Sequence, residues 1–396
     1  MRVLIILCVI LLSIDSVAQI KKDGVGPAQY IGTDELTGSS DAVIVGDVPL
    51  IHTKQFLPVD KNGKIVSKDN LSGQLDQVFE NIIQTLNEIG SDAGQIVKLN
   101  IFLKNAGLIR EVQSLITRKF PAGSKPSVTF AAGDLVHPDA LISIDAVAIS
   151  DLKAGSVKFY GAKEQSAAAL LPAGPVVYIS GQAAKGGLAE ATRSTLKQLG
   201  ETLTSLGLTL KDVVQIKSFL TPMSSLSIVE KEFAEFFKNE AMPPLVFVDW
   251  ISADPVIEIE LIAASRVKDV KADQIDYITP PGMTASPVYA KVTRLNYGKK
   301  VYLSGIYGIR ADNTDSELTG IFGTMEKVLK ASGSDFKNLL KATYYIRSDQ
   351  YSKSLSDLRP KYYDPSRPPA ASKAMIKGIG LNGAGISIDM IGTIKE

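Results

Sequence analysis

The chain is poor in the residues that build covalent and metal-centred sites. Among 396 residues there are one cysteine, two histidines and one tryptophan. The cysteine, Cys8, lies in the extreme N-terminal segment, so the rest of the chain has no disulfide, no thiol nucleophile and no cysteine metal ligand. His52 and His137 stand without a Glu-x-x-His or Cys companion, which argues against a zinc centre or a Ser-His triad. No metal site is expected. Charge of one sign is lacking too: 43 Lys+Arg balance 42 Asp+Glu, for a net +1, with no dense basic cluster. No nucleic-acid partner is therefore expected. Only one long apolar run interrupts this average composition. Arg2 precedes Val3 to Leu12, and Ser16-Val17-Ala18 offers small residues before Gln19. This is the pattern of a signal peptide over residues 1–19. The run is too short for a membrane span of about 20 residues. The expectation is an exported chain, periplasmic or secreted, with no membrane anchor once the signal is removed.

What is present is repetition. A helix-patterned segment, a Gly, a short polar linker and a strand-patterned segment recur three times. The helices are expected near Gln74 to Ile89, Glu190 to Leu206 and Ser316 to Ala331. The strands that follow are Ile96 to Leu103, Val213 to Leu220 and Leu339 to Ile346. Val78, Ile82, Leu86 and Ile89 fall on one helical face, as do Leu196, Leu199, Leu203 and Leu206. Gly90, Gly207 and Gly333 suit left-handed helix caps. A second apolar stripe follows each strand, at Val112, Leu115 and Ile116, then Val229, Phe233 and Phe236, then Leu355, Leu358 and Tyr362. Taking Lys98, Gln215 and Lys341 as equivalent gives a repeat of about 120 residues, a normal domain size.

Each unit is expected to open with a hairpin-like region and close with a strand. Asp60-Lys61-Asn62-Gly63-Lys64 carries an Asn-Gly turn signal between apolar strands. Ala140 to Asp145, Pro255 to Glu260 and Gly385 to Asp389 alternate apolar and polar residues, the period of a half-buried strand. The unit reads β-β-α-β-α-β, two helices on one face of a sheet, an α+β class. Linkers fall near Ser150 to Ser156 and Arg266 to Asp273. The units are then residues 20–153, 154–268 and 269–396. The string Gly378-Ile379-Gly380-Leu381-Asn382-Gly383 has dinucleotide-loop spacing, but the strand-patterned Ile386 to Met390 follows it rather than a helix. It reads as a Gly-rich turn, and no cofactor is expected. Trp250 reads as a packing residue.

Val176 to Gln182, the following helix, Val213 to Leu220, Phe233 to Phe237 and Ile257 to Glu260 resemble, in order and spacing, a whole domain of the Rid (YjgF) family. Val301 to Gly305 repeats the first of these motifs. The first unit is looser there, with His52-Thr53-Lys54-Gln55, but its Ser40 to Asp47 and its helix still look like the family. The resemblance implies a chorismate-mutase-like trimer with a central barrel of sheets, helices outside and a pocket at each subunit interface. Three copies in one chain then imply a monomer with internal pseudo-threefold symmetry.

Family members of the deaminating kind hydrolyse enamines and imines. The resemblance implies an Arg that pairs with the substrate carboxylate and an acid on the closing strand that positions water. The Arg position falls on Val128, Leu245 and Ala370, all apolar; Arg367 stands close by in the third unit. The acid falls on Asp145, Glu260 and Asp389, of which Glu260 is the family's residue type. Ser180, Gly181 and Gln182, with Ser304 and Gly305, are the further candidates for lining pockets. Three functions follow from this. The first is a binding protein for a small, partly apolar ligand, or a catalytically divergent relative. The second is an active imine or enamine hydrolase. The third is a structural or interaction protein, since fold alone carries no function.

Overall fold

A computed structural model describes residues 27–266, 273–308, 313–380 and 383–396. The signal segment 1–19 with Cys8, most of the linker at 266–273, and Leu381 and Asn382 of the Gly-rich string lie outside the described residues. Among the described residues no helix is long and apolar enough to cross a membrane.

Three similar runs of elements follow one another. The first contains β1 (Ala28–Asp34), β2 (Ser39–Val45), β3 (Leu50–Thr53), α1 (Leu71–Glu88), β4 (Ile96–Leu103), α2 (Ile109–Ile116), β5 (Ser127–Ala132) and β6 (Ile142–Ile149). The second contains β7 (Lys158–Ala162), β8 (Gln165–Leu171), β9 (Val176–Gln182), α3 (Leu188–Ser205), β10 (Val213–Leu220), α4 (Leu226–Phe236), β11 (Leu245–Asp249) and β12 (Ile257–Ala264). The third contains β13 (Ile275–Ile278), β14 (Val292–Leu295), β15 (Lys300–Leu303), the short β16 (Ile306–Tyr307), α5 (Thr314–Ala331), β17 (Leu339–Ile346), α6 (Asp349–Tyr362), β18 (Ala370–Met375), the short β19 (Gly378–Ile379) and β20 (Ile386–Thr393).

The long helices form where their apolar stripes predict. Leu75, Val78, Phe79, Ile82 and Leu86 of α1 are almost fully buried. Each such side chain contributes about 1.5–3 kcal/mol on leaving water. Asn70 caps α1 and Asn313 caps α5, each accepting from a backbone N–H of the first turn. Gly90, Gly207 and Gly333 stop the helices at φ values of 65°, 71° and 72°. These lie in the left-handed region, where a Cβ would be strained.

Several features differ from the sequence pattern. Each unit opens with three strands rather than two and carries a further strand, β5, β11 or β18, running parallel to β4, β10 or β17. These segments are short and wholly or alternately apolar beside Pro-rich turns, so periodicity gives little signal for them. The closing strands also run four residues further, and β6 is buried at every position rather than half-buried. The reason is that both of its faces are covered. Ile142, Ile144, Ala146 and Ala148 pack against α1 and α2, while Val147 and Ile149 join a cluster contributed by all three units. The Asn-Gly turn forms, with Gly63 at φ 77° and Asp60 accepting from the backbone of Asn62 and Lys64. It joins β3 to α1, however, and only the bridge Val59–Ile65 pairs across it.

The sheets do not coincide with the sequence units. Their strand orders are β1-β2-β15-β20-β17-β18, β11-β10-β12-β9-β14-β13 and β19-β5-β4-β6-β3-β8-β7. Each opening hairpin therefore leaves its own unit and extends the sheet of another. The pair β7–β8 extends the first unit's sheet, β13–β14 the second's, and β1–β2 the third's. The chain closes into a ring of strand exchanges, with N- and C-terminal units joined through β2 and β15.

Candidate functional site

The inner faces of the sheets carry a layered pattern. In β4, β10 and β17 a bulge follows Ile96, Val213 and Leu339. A bulge places two successive residues toward one side. Val97, Val214 and Leu340 enter one shared apolar cluster. Lys98, Gln215 and Lys341 come next, then Asn100, Lys217 and Thr343, all bordering a small cavity of about 50 Å³. Beyond them Phe102, Phe219 and Tyr345 enter a second shared apolar cluster. Trp250 packs in this cluster.

The three closing-strand acids lie in the polar layer. Lys98 Nζ meets Asp389 at 2.7 Å and also donates to Thr129 Oγ1 and Leu303 O. Lys341 Nζ meets Glu260 at 2.5 Å, with side chains 6% and 7% exposed. The corresponding acid of the first unit, Asp145, has Gln215 at the position where the other two meet a lysine. It accepts from Asn100 Nδ2 at 2.8 Å, and burial raises its pKa. Burial works against the charge of Lys217, but Tyr345, Asp145, Glu260 and Asp389 outweigh it and keep the ammonium protonated. His52 also borders this layer, fully buried. Burial, with Lys300 nearby, pushes its pKa down to about 3, so the ring is neutral. Lys98, Lys217, Lys341, Glu260 and Asp389 border this one small cavity, and Glu260 faces Lys341 there.

The apolar Arg-position residues lie where units meet. Val128 N–H donates to Ser304 Oγ at 2.8 Å, Ser304 Oγ donates to Ser40 O, and Gly305 N–H donates to Val128 O at 3.0 Å. At a second junction Ala371 N–H donates to Ser180 Oγ at 2.7 Å, Ser180 Oγ donates to Ala290 O, and Gly181 N–H donates to Ser372 Oγ. At the third, Gln55 N–H donates to Leu245 O at 3.1 Å, and Gln55 bridges Phe247 N–H and Ser143 Oγ. One correction follows. Strand register aligns Val128 and Leu245 with Ala371, one residue beyond Ala370, because Leu99, Ile216 and Ala342 are their partners. Ala370 points instead into the inner apolar cluster. The Ser-Gly pairs correspond to Lys54-Gln55, since Lys54, Ser180 and Ser304 donate equivalent backbone bonds to Ala167, Lys291 and Asp41.

A cavity of about 960 Å³ opens at the junction of the first and second units. Phe56, Leu245 and Phe247 supply apolar wall, and Gln77, Asn81 and Gln84 of α1 and Gln165 of β8 supply amides. Lys54 enters it, half-buried, with its ammonium 5.5 Å from the Phe56 ring centre. Burial lowers the pKa of this amine. Leu245 is thus the Arg-position residue that borders the open space. Gln182 donates to Thr202 Oγ1 on the helix side, and Arg367 lies over the Tyr277 ring at 5.8 Å; neither borders this cavity.

Two residues escaped the pattern of the sequence. Lys54 looked like a loosened motif until the backbone bonds aligned it. Glu258 stands two residues before Glu260, where the other units carry Ser143 and Ser387. It lies against Gly181, whose missing Cβ leaves it room. Burial and the Glu260 charge push its carboxyl up to about 7, against hydrogen bonds from Ser372 and the Lys373 backbone. An acidic residue in an alternating strand gives no sequence cue to such an environment. Among the described residues no group of three or more His, Cys, Asp or Glu side chains could hold a metal ion.

A chain of repeated α+β units with a cavity between the edges of neighbouring units defines the class of protein. Its sequence matches the family described as Endoribonuclease L-PSP over residues 39–150 and 162–265, more than half of its length, and the chain belongs to that family. It is similar to Reactive Intermediate Deaminase A, chloroplastic, of Arabidopsis thaliana, 25% identical over 147 residues, which cover 35% of this chain and 73% of the relative. It is also similar to a RutC family protein of Pyrococcus horikoshii, 31% identical over 91 residues, 22% of this chain and 71% of the relative. Among solved structures, a Rid-family protein of unknown function from Yersinia pestis overlays 31% of this chain and 98% of its own, with 21% identity and a TM-score of 0.30.

Proposed function

We propose that this chain is a single-chain pseudo-trimer of three Rid-type units, 20–153, 154–268 and 269–396, that binds a small, partly apolar molecule in the cavity between its first and second units. The observation that carries this reading is Leu245 on the wall of the 960 Å³ cavity. A leucine offers no charge to a carboxylate, and with Phe56 and Phe247 it favours an uncharged ligand. The pseudo-threefold arrangement is supported by the equivalent bulges, by the matching Lys98–Asp389 and Lys341–Glu260 pairs, and by the ring of hairpin exchanges. Export through residues 1–19 is part of the proposal and is supported by the Val3 to Leu12 run.

The test is a thermal-shift screen of small uncharged and carboxylated metabolites against wild type and Leu245→Arg. Uncharged ligands should stabilise the wild type and lose their effect in the variant. Equal shifts in both would remove Leu245 from the site. Sedimentation should give the mass of one chain; a mass of three chains would sink the pseudo-trimer.

The similarity to a reactive-intermediate deaminase supports a second reading, hydrolysis of imines or enamines. Ammonia release from enamines generated in situ would support it. Release at the buffer rate, beside an active deaminase control, would leave binding as the function.

A further inference from the structure

We propose that Lys54 is a nucleophilic amine that captures a small aldehyde or ketone as an imine within the cavity between the first and second units. This rests on the reading of that cavity as a small-molecule site and names the chemistry of its ligand.

Position is the first argument. Ser180 and Ser304 hold the equivalent place and seal their junctions with short hydroxyl bonds. At the remaining junction Gln55 takes over the sealing, through Phe247 N–H and Ser143 Oγ. Lys54 is thereby released from the joint, and its amine lines the open cavity. Partnering is the second argument. Lys98 and Lys341 are locked to buried carboxylates, and Lys125 is bonded to the carbonyls of Thr117 and Phe120. Among the described residues Lys54 makes no ion pair, and its ammonium lies against Phe56. An amine held half-buried beside apolar walls is poorly solvated as a cation, and burial accordingly lowers its pKa. The lowering raises the fraction of free amine at neutral pH.

The chemistry balances without a co-reactant. The free amine of Lys54 attacks the carbonyl carbon, a C–N bond forms, and the carbonyl oxygen takes a proton to give a carbinolamine. Loss of that oxygen as water leaves the imine, and water reverses the reaction. Glu88 and Glu230 border the same cavity, and the protons of both steps exchange with solvent. The walls of Phe56, Leu245 and Phe247 select a carbonyl compound with an apolar tail rather than an oxo acid.

The experiment treats the protein with butanal or 2-butanone and sodium cyanoborohydride at neutral pH, followed by intact mass and peptide mapping. Reductive labelling should concentrate on Lys54, well above the mean of the surface lysines. Lys54→Arg, checked for native Trp250 fluorescence, should lose that adduct while the surface background stays. Labelling spread over surface lysines without enrichment at Lys54 would overturn the proposal, as would an unchanged adduct level in Lys54→Arg. Its failure is separable from failure of the cavity reading, which is judged by the ligand shifts of wild type against Leu245→Arg.

Discussion

Replacing Lys341 by Met should unfold this protein far more readily than its small change in volume suggests. Lys341 and Glu260 form a pair whose side chains are 6% and 7% exposed, in a layer closed above and below by apolar clusters. Methionine keeps most of the packing but leaves the Glu260 carboxylate without its direct partner. Breaking a buried pair from one side costs about 3–5 kcal/mol. Lys217 stands on the same cavity and interacts with Glu260, so the lower end of that range is expected. Removing both charges, as Lys341→Met with Glu260→Leu, should recover most of the loss, because no charge is then stranded. Guanidinium unfolding followed by the fluorescence of Trp250, the chain's single tryptophan, reads the shared core directly. Lys353→Met, which breaks the exposed Lys353–Asp357 pair, serves as control and should leave the midpoint unchanged. A Lys341→Met variant within about 1 kcal/mol of wild type would refute the reasoning, since a desolvated carboxylate cannot lose its lysine so cheaply.

Other outcomes follow from the same geometry. His52 has a folded pKa of about 3, below its ordinary value, so its share of stability is present above pH 6.5 and is lost as pH falls toward 3. At pH 5 that loss is about 2 kcal/mol, and His52→Tyr, matching Tyr178 and Tyr302 at equivalent positions, should flatten the acid limb of a stability–pH curve. Glu258, raised to about 7, works in the opposite direction: its contribution is present below pH 4.5 and fades as pH rises through 7. Glu258→Gln should therefore melt higher than wild type at pH 8 and lose that advantage at pH 5. Gly181→Ala should destabilise, because the new Cβ would meet Glu258 Oε1; an unchanged melting temperature would mean that Glu258 swings away freely. Expression with the native N-terminus should give a mature protein that lacks the segment near residues 1–19, read by intact mass, and retention of Met1 would count against export.

Local pattern was enough for the helices and the central strands. Ile96–Leu103, Val213–Leu220 and Leu339–Ile346 are legible because β-branched and aromatic residues cluster between a helix-ending Gly and a second apolar stripe. The acids Asp145, Glu260 and Asp389 were legible as equivalent positions, and so was the apolar character of Val128 and Leu245. The partners of these residues were not. Lys98 meets Asp389 across 291 positions of chain, and no periodicity encodes a contact between sheets. Ala370 and Ala371 could not be told apart by sequence, because a strand reverses its faces at every residue and only the register with Lys341 and Ala342 decides which one points where.

Local sequence alone was enough to show repeated α+β units and which residues they bury against their own helices, because propensity, capping and periodicity act over a few residues. Packing of the sheets settled that each hairpin serves another unit's sheet, that Asp389 and Glu260 meet lysines while Asp145 meets Asn100, and that Lys54 and Leu245 border the open cavity. Those outcomes depend on burial and on charges brought together from distant segments, which exist only once the sheets have packed.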